Sequence, residues 1–308
     1  MMTIDKKDIR DIFFENIRKI FLNRNDFYIL TNDADVFALE KIKNHKRFID
    51  AGVCEQNLIN IASGLARRRK KVLVYGFCNF LCHRSFEQIK INICSMKLPV
   101  YIVGIGPGFS FPYDGPTHHG VQDIANMYTI PELQIINLSE NSLANHYSKN
   151  ILAFKEPVYF RLDKGIMKSN NLNYNSKVGF NLTKSKKKKK LIITSGYFAR
   201  VAEKMIYQKN INDTCILDLY NFKKFNILKL SNILKSYRKV LLYDENTQSG
   251  GFSFIINDII RKNNIKYNGF KSLCSPEKQI FIYRQDRDSL LKDLKIDKDN
   301  LYYNLKKL

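Results

Sequence analysis

The sequence predicts an α/β protein of two units, each a mainly parallel sheet with helices on its faces. Three observations carry this. Short apolar runs typical of buried parallel strands recur through both halves. Stretches with helical periodicity alternate with those runs. A polar segment rich in Asn and Lys, near residues 165–190, separates two such alternating series. At 308 residues the chain has the length of roughly two domains, and 44% hydrophobic residues suffice for packed cores.

Residues 8–22 place Ile9, Ile12, Phe13, Ile17, Ile20 and Phe21 on one side of a helix. FYIL (27–30) reads as a strand. RFIDAGVCEQNLINIASGLA (47–66) supplies a strand, a glycine turn and a helix. KVLVYG (71–76) is a strand, and residues 84–96 read as a helix carrying Phe86, Ile89 and Ile93. PVYIVGIG (99–106) is a strand, followed by a loop rich in Gly and Pro and a short helix from Val121. QIINL (134–138), a helix over 142–154 and PVYFRL (157–162) complete the series. The expected boundaries are a first domain over 1–165, a linker with a hairpin over 166–190, and a second domain over 191–308. In the second, LIITSG, TCILDL (214–219) and KVLLYDE (239–245) are strands with helices between them. A helix follows Gly250–Gly251, and a basic, Tyr-rich tail closes the chain.

The formal net charge is +22, which permits attraction to nucleic acid, an anionic membrane or an acidic protein. The lysines are scattered, however, often alternating with Asn and Ile, a general compositional bias. The dense run Lys186–Lys190 precedes an apolar strand and reads as a solvated hairpin, since a charge run specifies no base or phosphate geometry. No apolar run reaches the ~20 residues of a membrane helix. Neither nucleic acid nor membrane is therefore an expected partner. The six cysteines form no regular framework. Cys78, Cys82 and His83 lack a second ligand pair at zinc-type spacing, so buried thiols are expected there. MMTIDKKDIR carries no signal-peptide pattern, and a reducing cytoplasm is the expected setting.

In open parallel sheets, ligands bind beyond the strand C-termini. Three loops there carry chemistry: 51–55, 76–80 and 106–120. Glu55 lies on an apolar stripe, before Leu58, Ile59 and Ala62. Burying a carboxylate without a partner costs about 4–7 kcal/mol, against a net domain stability of about 5–15 kcal/mol. Two readings follow. Glu55 is an acid in the first helical turn, favoured by free N–H groups and the helix dipole. Alternatively, a ligand supplies its hydrogen-bond partner and Glu55 is a tuned acid/base.

GIGPGFSFPYDGPTHHG (104–120) gathers Asp114, Thr117, His118 and His119. It lacks the GxGxxG spacing of a dinucleotide fingerprint. Vicinal histidines point in different directions, so joint metal ligation is not expected. One imidazole facing a cleft suits acid/base or hydrogen-bond work; the alternative is a turn decorated with polar residues. Phe77 and Phe80, at a strand end, serve either as core or as a flat wall for a planar ring.

Taken together, these loops resemble the C-terminal half of transketolases. RFIDAGVCEQNLINIASGLA resembles the strand–turn–helix around that family's catalytic glutamate. Phe77, Phe80, Arg84 and Glu87-Gln88-Ile89 match its cofactor-ring pocket, and DGPTHHG its DGPTHQ loop. IRDIFF near Arg10 and NDAD near Asp35 match the start of the same domain. VLLYDENTQSGGF is similar to a motif of the family's C-terminal domain. The resemblance implies a thiamine diphosphate-binding fold, with a pyrimidine domain followed by a smaller transketolase C-terminal-like domain. It implies a transferase that moves a two-carbon glycolaldehyde unit from a ketose to an aldehyde sugar. Glu55 would bond the aminopyrimidine ring nitrogen N1′ and favour the imino tautomer that activates the cofactor. Phe77 and Phe80 would pack on the pyrimidine, and Asp35 would help hold the cofactor. Asp114 and His118 would bind donor hydroxyls, with His118 in the catalytic set.

The family anchors Mg²⁺ and diphosphate through a Gly-Asp-Gly motif, and none occurs here. The resemblance therefore implies one subunit of a split transketolase, with no metal ligand in this chain. An N-terminal diphosphate-binding subunit is the expected partner, in an assembly with two copies of each chain. Sugar phosphates are gripped in the family by a basic and hydroxyl set. Here Arg10 matches one member, and Lys164 replaces the usual Arg, losing its fork. Leu39 replaces a Ser, Gly106 a His, and His119 stands where Gln is usual, tuning the acceptor or facing solvent. These departures direct the expectation to a nucleotide-linked or unphosphorylated sugar, as in surface polysaccharide synthesis. The rivals are a deoxyxylulose phosphate synthase-like half, a pyruvate dehydrogenase β-subunit, and a non-catalytic scaffolding subunit of the same fold.

Overall fold

The computed structural model describes residues 4–169 and 177–308, so the expected linker over 166–190 lies partly outside the described residues. Two compact units emerge. The first runs to Pro107 and resumes at Asn126; the second takes Gly108–Ala125 together with the C-terminal residues from 177 onward.

The first unit is built on β1 (Phe27–Thr31), β2 (Phe48–Asp50), β3 (Lys71–Phe77), β4 (Val100–Ile105), β5 (Gln134–Leu138) and β6 (Val158–Leu162). Their order is β2-β1-β3-β4-β6-β5, and every pairing is parallel. Strands β4, β5 and β6 are buried at every position, which is why they read as apolar runs without alternation. Helix α1 (Ile9–Asn23) buries Ile9, Ile12, Phe13, Ile17 and Phe21, as its spacing predicts, while Ile20 is only partly buried. Asp8 caps it: Oδ1 accepts the Arg10 N–H at 2.8 Å, and Oδ2 accepts the Gly165 N–H at 2.8 Å. Helix α2 (Glu55–Arg67) buries Leu58, Ile59, Ala62 and Ala66 on one stripe.

The helix expected over 84–96 differs in start and winding. Helix α3 (Cys78–Arg84) begins directly at the end of β3 and stops at Ser85. The Ser85 hydroxyl donates to the Leu81 carbonyl at 2.8 Å, competing with the backbone ladder. A short α4 (Phe86–Gln88) follows, then a π-wound segment, Ile89–Cys94. Helix α5 (Asp123–Tyr128) starts just after the predicted Val121. Helix α6 (Asn141–Lys149) ends earlier than expected and is followed by a 3₁₀ turn at Ile151–Ala153.

The second unit contains β7 (Phe180–Leu182), β8 (Lys190–Thr194), β9 (Thr214–Leu219), β10 (Lys239–Thr247) and β11 (Gly269–Ser275), in the order β11-β10-β8-β9-β7. All pairs are parallel except β7 with β9. Helices α7 (Tyr197–Gln208), α8 (Ile227–Lys235), α9 (Ser253–Lys262), α10 (Arg287–Asp293) and α11 (Lys298–Lys306) accompany it. The core joins Phe198, stacked on Tyr243 at 4.1 Å, to Ile192, Leu290, Leu291 and Leu301. Phe109 and Val121, from the segment before Ala125, belong to the same cluster. The expected basic tail is ordered structure: β11, α10 and α11. Aspartates cap both helices, Asp286 accepting the Ser289 N–H and Asp297 the Asp299 N–H.

Among the described residues no helix is long and apolar enough to cross a membrane. Among the described residues none of the six cysteines is in a disulfide.

Replacing Asp8 with Ala removes both the α1 cap and the tie to Gly165. The expected loss is about 1–2 kcal/mol in urea unfolding, with Asp8→Asn losing less.

Candidate active site

Helix α2 opens on Glu55, whose side chain is only 4% exposed. It stands in the first turn, where the helix dipole favours an acid, but among the described residues its carboxylate accepts from side chains and from no helix N–H. Its Oε1 accepts from Arg84 Nη1 at 2.9 Å and from Asn32 Nδ2 at 3.1 Å. Among the described residues both hydrogen bonds of this carboxylate fall on Oε1. Protein groups, rather than a ligand alone, therefore satisfy half of Glu55, which amends the second reading of its burial.

Three strand ends assemble this arrangement. Asn32 follows β1, Glu55 lies five residues after β2, and Arg84 closes the helix that grows from β3. The β1–β3 register sets Thr31 opposite Tyr75, so Asn32 and Gly76 are neighbours. A Cβ on Gly76 would stand 2.1 Å from Asn32 Oδ1. Glycine is thus required here by close approach. That Oδ1 is buried and has no hydrogen-bond partner among the described residues. The Arg84 guanidinium also sits over the Phe80 ring, 4.1 Å from its centroid. Phe80 in turn meets Phe77 edge-to-face at 5.8 Å. Glu55, Arg84, Phe80 and Phe77 therefore form one contiguous set.

Other expected residues make contacts of their own. Asp35 is a surface residue, with its side chain 88% exposed and paired to Lys43 at 2.7 Å. Arg10 binds Asp8 at 3.1 Å, and Asp8 also holds the N–H of Gly165, next to Lys164. The cap of α1 thus brings Arg10 and Lys164 to one corner of the first unit. Leu39 is fully buried. Cys78 and Cys82 are buried, and the Cys78 thiol donates to the Gly106 carbonyl. Among the described residues no group of three or more His, Cys, Asp or Glu side chains is placed to hold a metal ion.

The Asp–His loop belongs to the second unit. Gly115–Thr117 forms a 3₁₀ turn that leaves Asp114 exposed and His118 half-buried. His118 Nδ1 lies 3.0 Å from the Thr117 hydroxyl. His119 points the other way, as vicinal histidines do. It does not face solvent: it is 4% exposed and packs edge-to-face on Phe109 at 4.9 Å. Neither ring nitrogen has a hydrogen-bond partner among the described residues. Burial pushes its pKa down to about 4, and the neighbouring His118 adds to the fall. The Pro112 carbonyl and Asp114 oppose that fall, the carbonyl from outside hydrogen-bonding geometry.

The sequence assigns Asn32 no role, and Arg84 only a place in the cofactor-ring motif. Asn32 has a signal, since it begins NDAD at the C-terminal end of a parallel strand. Arg84 stands in the aromatic motif without a partner.

Comparison with known proteins fits this geometry to a family. Residues 5–169 match the family described as transketolase, pyrimidine binding domain. The chain belongs to the transketolase family. It is 27% identical over 222 residues to one subunit of the apulose-4-phosphate transketolase of Phocaeicola vulgatus, covering 70% of this chain and 71% of that one. It is 31% identical over 215 residues to the 1-deoxy-D-xylulose-5-phosphate synthase of Oleidesulfovibrio alaskensis, covering 67% of this chain and 33% of the synthase. The match thus spans most of the transketolase subunit but only a third of the synthase. A solved structure titled split gene transketolase, inactive beta4 tetramer, superposes with a TM-score of 0.80 at 18% identity, over 97% of both chains. That likeness is one of fold.

Two outcomes test the site's physics. Gly76→Ala displaces Asn32 from Glu55, which a crystal structure of the variant reads as a lost 3.1 Å contact. His119 has a folded pKa near 4, below the ordinary value of 6.5, so the unfolded chain binds more protons between those values. Wild-type stability is therefore expected to fall as pH drops from 6.5 towards 4. The urea midpoint falls less over that range in His119→Gln.

Proposed function

We propose that this chain is the glutamate-bearing half of a two-chain, thiamine diphosphate-dependent transketolase. It transfers a two-carbon ketol unit from a ketose donor to an aldehyde acceptor. The single observation that carries the reading is the buried Glu55 carboxylate, with its partners on Oε1, beside an aromatic pair and the unpartnered Asn32 Oδ1. A buried carboxylate, an orphaned amide oxygen and a flat apolar wall suit an aminopyrimidine, which combines a ring nitrogen and an exocyclic amine on a planar ring.

In this reading Oε2 of Glu55 holds the proton at the ring nitrogen N1′. Arg84 and Asn32 orient the carboxylate by gripping Oε1, and Arg84 keeps positive charge beside it. Phe77 and Phe80 pack on the pyrimidine and exclude water. Thiamine diphosphate, when bound, supplies a nucleophilic carbon for the carbonyl of the ketose. Asp114 and His118 bind the donor's hydroxyls; Asp35 is a rim contact at most, given its exposure and its pairing with Lys43. His119, neutral and buried, shapes the loop behind the acceptor site.

In this reading a partner chain supplies the diphosphate and Mg²⁺ ligands, and the assembly holds two copies of each chain. The likeness to a relative that is itself named as one subunit of a transketolase supports that division. For the acceptor, the buried Leu39 and the non-forked Lys164 support a nucleotide-linked or unphosphorylated sugar. A strong kinetic preference for glyceraldehyde 3-phosphate or ribose 5-phosphate would sink that choice. The cytoplasm is the proposed setting. The synthase likeness makes pyruvate the alternative donor, so ketose and pyruvate are assayed side by side.

The test is co-expression with the diphosphate-binding subunit, followed by a thiamine diphosphate titration monitored by circular dichroism and a ketol-transfer assay. Glu55→Ala is expected to lower turnover by about 100-fold or more, with Glu55→Gln also impaired. Undiminished turnover in Glu55→Ala overturns the role of Glu55, and full turnover by this chain alone overturns the two-chain assignment.

A further inference from the structure

We infer that Glu245 and Arg287, on the second unit, are positioning residues that hold the Asp114–His118 loop in its working shape. The inference rests on the proposed role of that loop in binding the sugar.

Glu245 lies near the end of β10 and Arg287 at the first position of α10. Both side chains are only 10% exposed. Arg287 Nε donates to Glu245 Oε1 at 2.7 Å, and Nη2 donates to Oε2, a two-point fork. The same Oε1 accepts the backbone N–H of Phe109 at 3.0 Å. Arg287 Nη1 reaches the Ser110 hydroxyl at 3.3 Å. The guanidinium carbon stacks 3.8 Å from the centroid of the Tyr197 ring. One ion pair thus grips two consecutive residues at the root of the loop.

The chain at the root is shaped for that grip. Gly108 has φ +64°, and a Cβ there would stand 2.2 Å from Glu245 Oε2. Only glycine lets the backbone lie over the carboxylate. The far root is fastened as well. Gly108 and Gly120 exchange backbone hydrogen bonds of 2.8 and 2.9 Å, and the Thr247 N–H donates to the Val121 carbonyl at 3.1 Å. Asn246 Nδ2 donates to Asp123 Oδ1 at 3.1 Å. The tip meets Tyr283, whose ring packs against Tyr113 at 6.5 Å. The motif DENT (244–247) therefore contacts both ends of the loop.

Stability alone does not call for such a pair. Well-packed apolar residues often replace a buried ion pair at no loss. What apolar residues cannot supply is a planar set of donors and acceptors that fixes the direction of backbone groups. The second unit thereby sets the orientation of Asp114 and His118. A shift of about 1 Å in such a group costs up to about 100-fold in rate.

The test uses the co-expressed two-chain enzyme with Arg287→Met, Arg287→Lys, Glu245→Ala and Glu245→Gln. Hydrogen exchange is read by mass spectrometry, kcat and donor KM by steady-state kinetics, and thiamine diphosphate binding by circular dichroism. Arg287→Met and Glu245→Ala are expected to speed exchange in residues 108–120 and leave 55–90 unchanged. They raise donor KM about tenfold or more, with cofactor affinity unaltered. Arg287→Lys and Glu245→Gln recover part of the loss, since each keeps one element of the fork. Unchanged loop exchange in a folded Arg287→Met chain overturns the inference, and so does faster exchange with an unaltered KM. Failure of the transketolase reading has a different signature, an inactive wild-type complex, and the exchange measurement then decides the anchoring by itself.

Discussion

A carboxylate placed under cover at the mouth of a parallel sheet must be met by donors, because leaving it unmet consumes much of a domain's stability. In the first unit that demand falls on Glu55, and the neighbouring strand ends answer it. Asn32 comes from the end of β1 and Arg84 from the helix that leaves β3. Both reach Oε1 because the β1–β3 register sets Thr31 against Tyr75 and because Gly76 leaves room for the Asn32 amide. The early start of α3 at Cys78, directly on the strand end, brings Arg84 within 2.9 Å of the carboxylate. Phe80, four residues earlier on that helix, then lies beneath the guanidinium. The aromatic pair and the acid are one construction.

The second unit solves a related problem with a different purpose. Its buried charges, Glu245 and Arg287, bond each other and also reach Phe109 and Ser110. The loop that carries Asp114 and His118 is consequently part of the second unit's architecture, with Phe109 inserted among Ile192, Phe198 and Tyr243. His119 completes the insertion by packing on Phe109, at the cost of a ring whose nitrogens have no partner among the described residues.

Much of this is legible in the amino-acid sequence. Doubly buried strands announce themselves as apolar runs, and β1, β3, β4, β5, β6, β8, β9 and β10 are readable as such runs. The stripe of α2 makes Glu55 conspicuous from periodicity alone. The parts that are not legible have local causes. Ser85 interrupts a helical pattern through a side-chain hydrogen bond that periodicity does not encode. Strand β7 has three residues and pairs antiparallel at an edge, and β11, also at an edge, alternates the exposed Phe270 and Ser272 with partly covered positions. Such segments lack the continuous apolar signal. Asn32, Arg84 and Arg287 gain their roles from register and crossings over long sequence separations. Asp286 and Asp297 are readable helix caps, hidden by the basic composition around them.

The central claim is that Glu55 presents Oε2 to the ring nitrogen of a cofactor while Arg84 and Asn32 hold Oε1. The most direct measurement is a crystal structure of the two-chain complex with thiamine diphosphate bound. Oε2 is expected within ordinary hydrogen-bond distance, about 2.7–3.2 Å, of the pyrimidine N1′, with both Oε1 contacts retained. A pyrimidine ring bound elsewhere, with Glu55 still engaged only by Arg84 and Asn32, would contradict it.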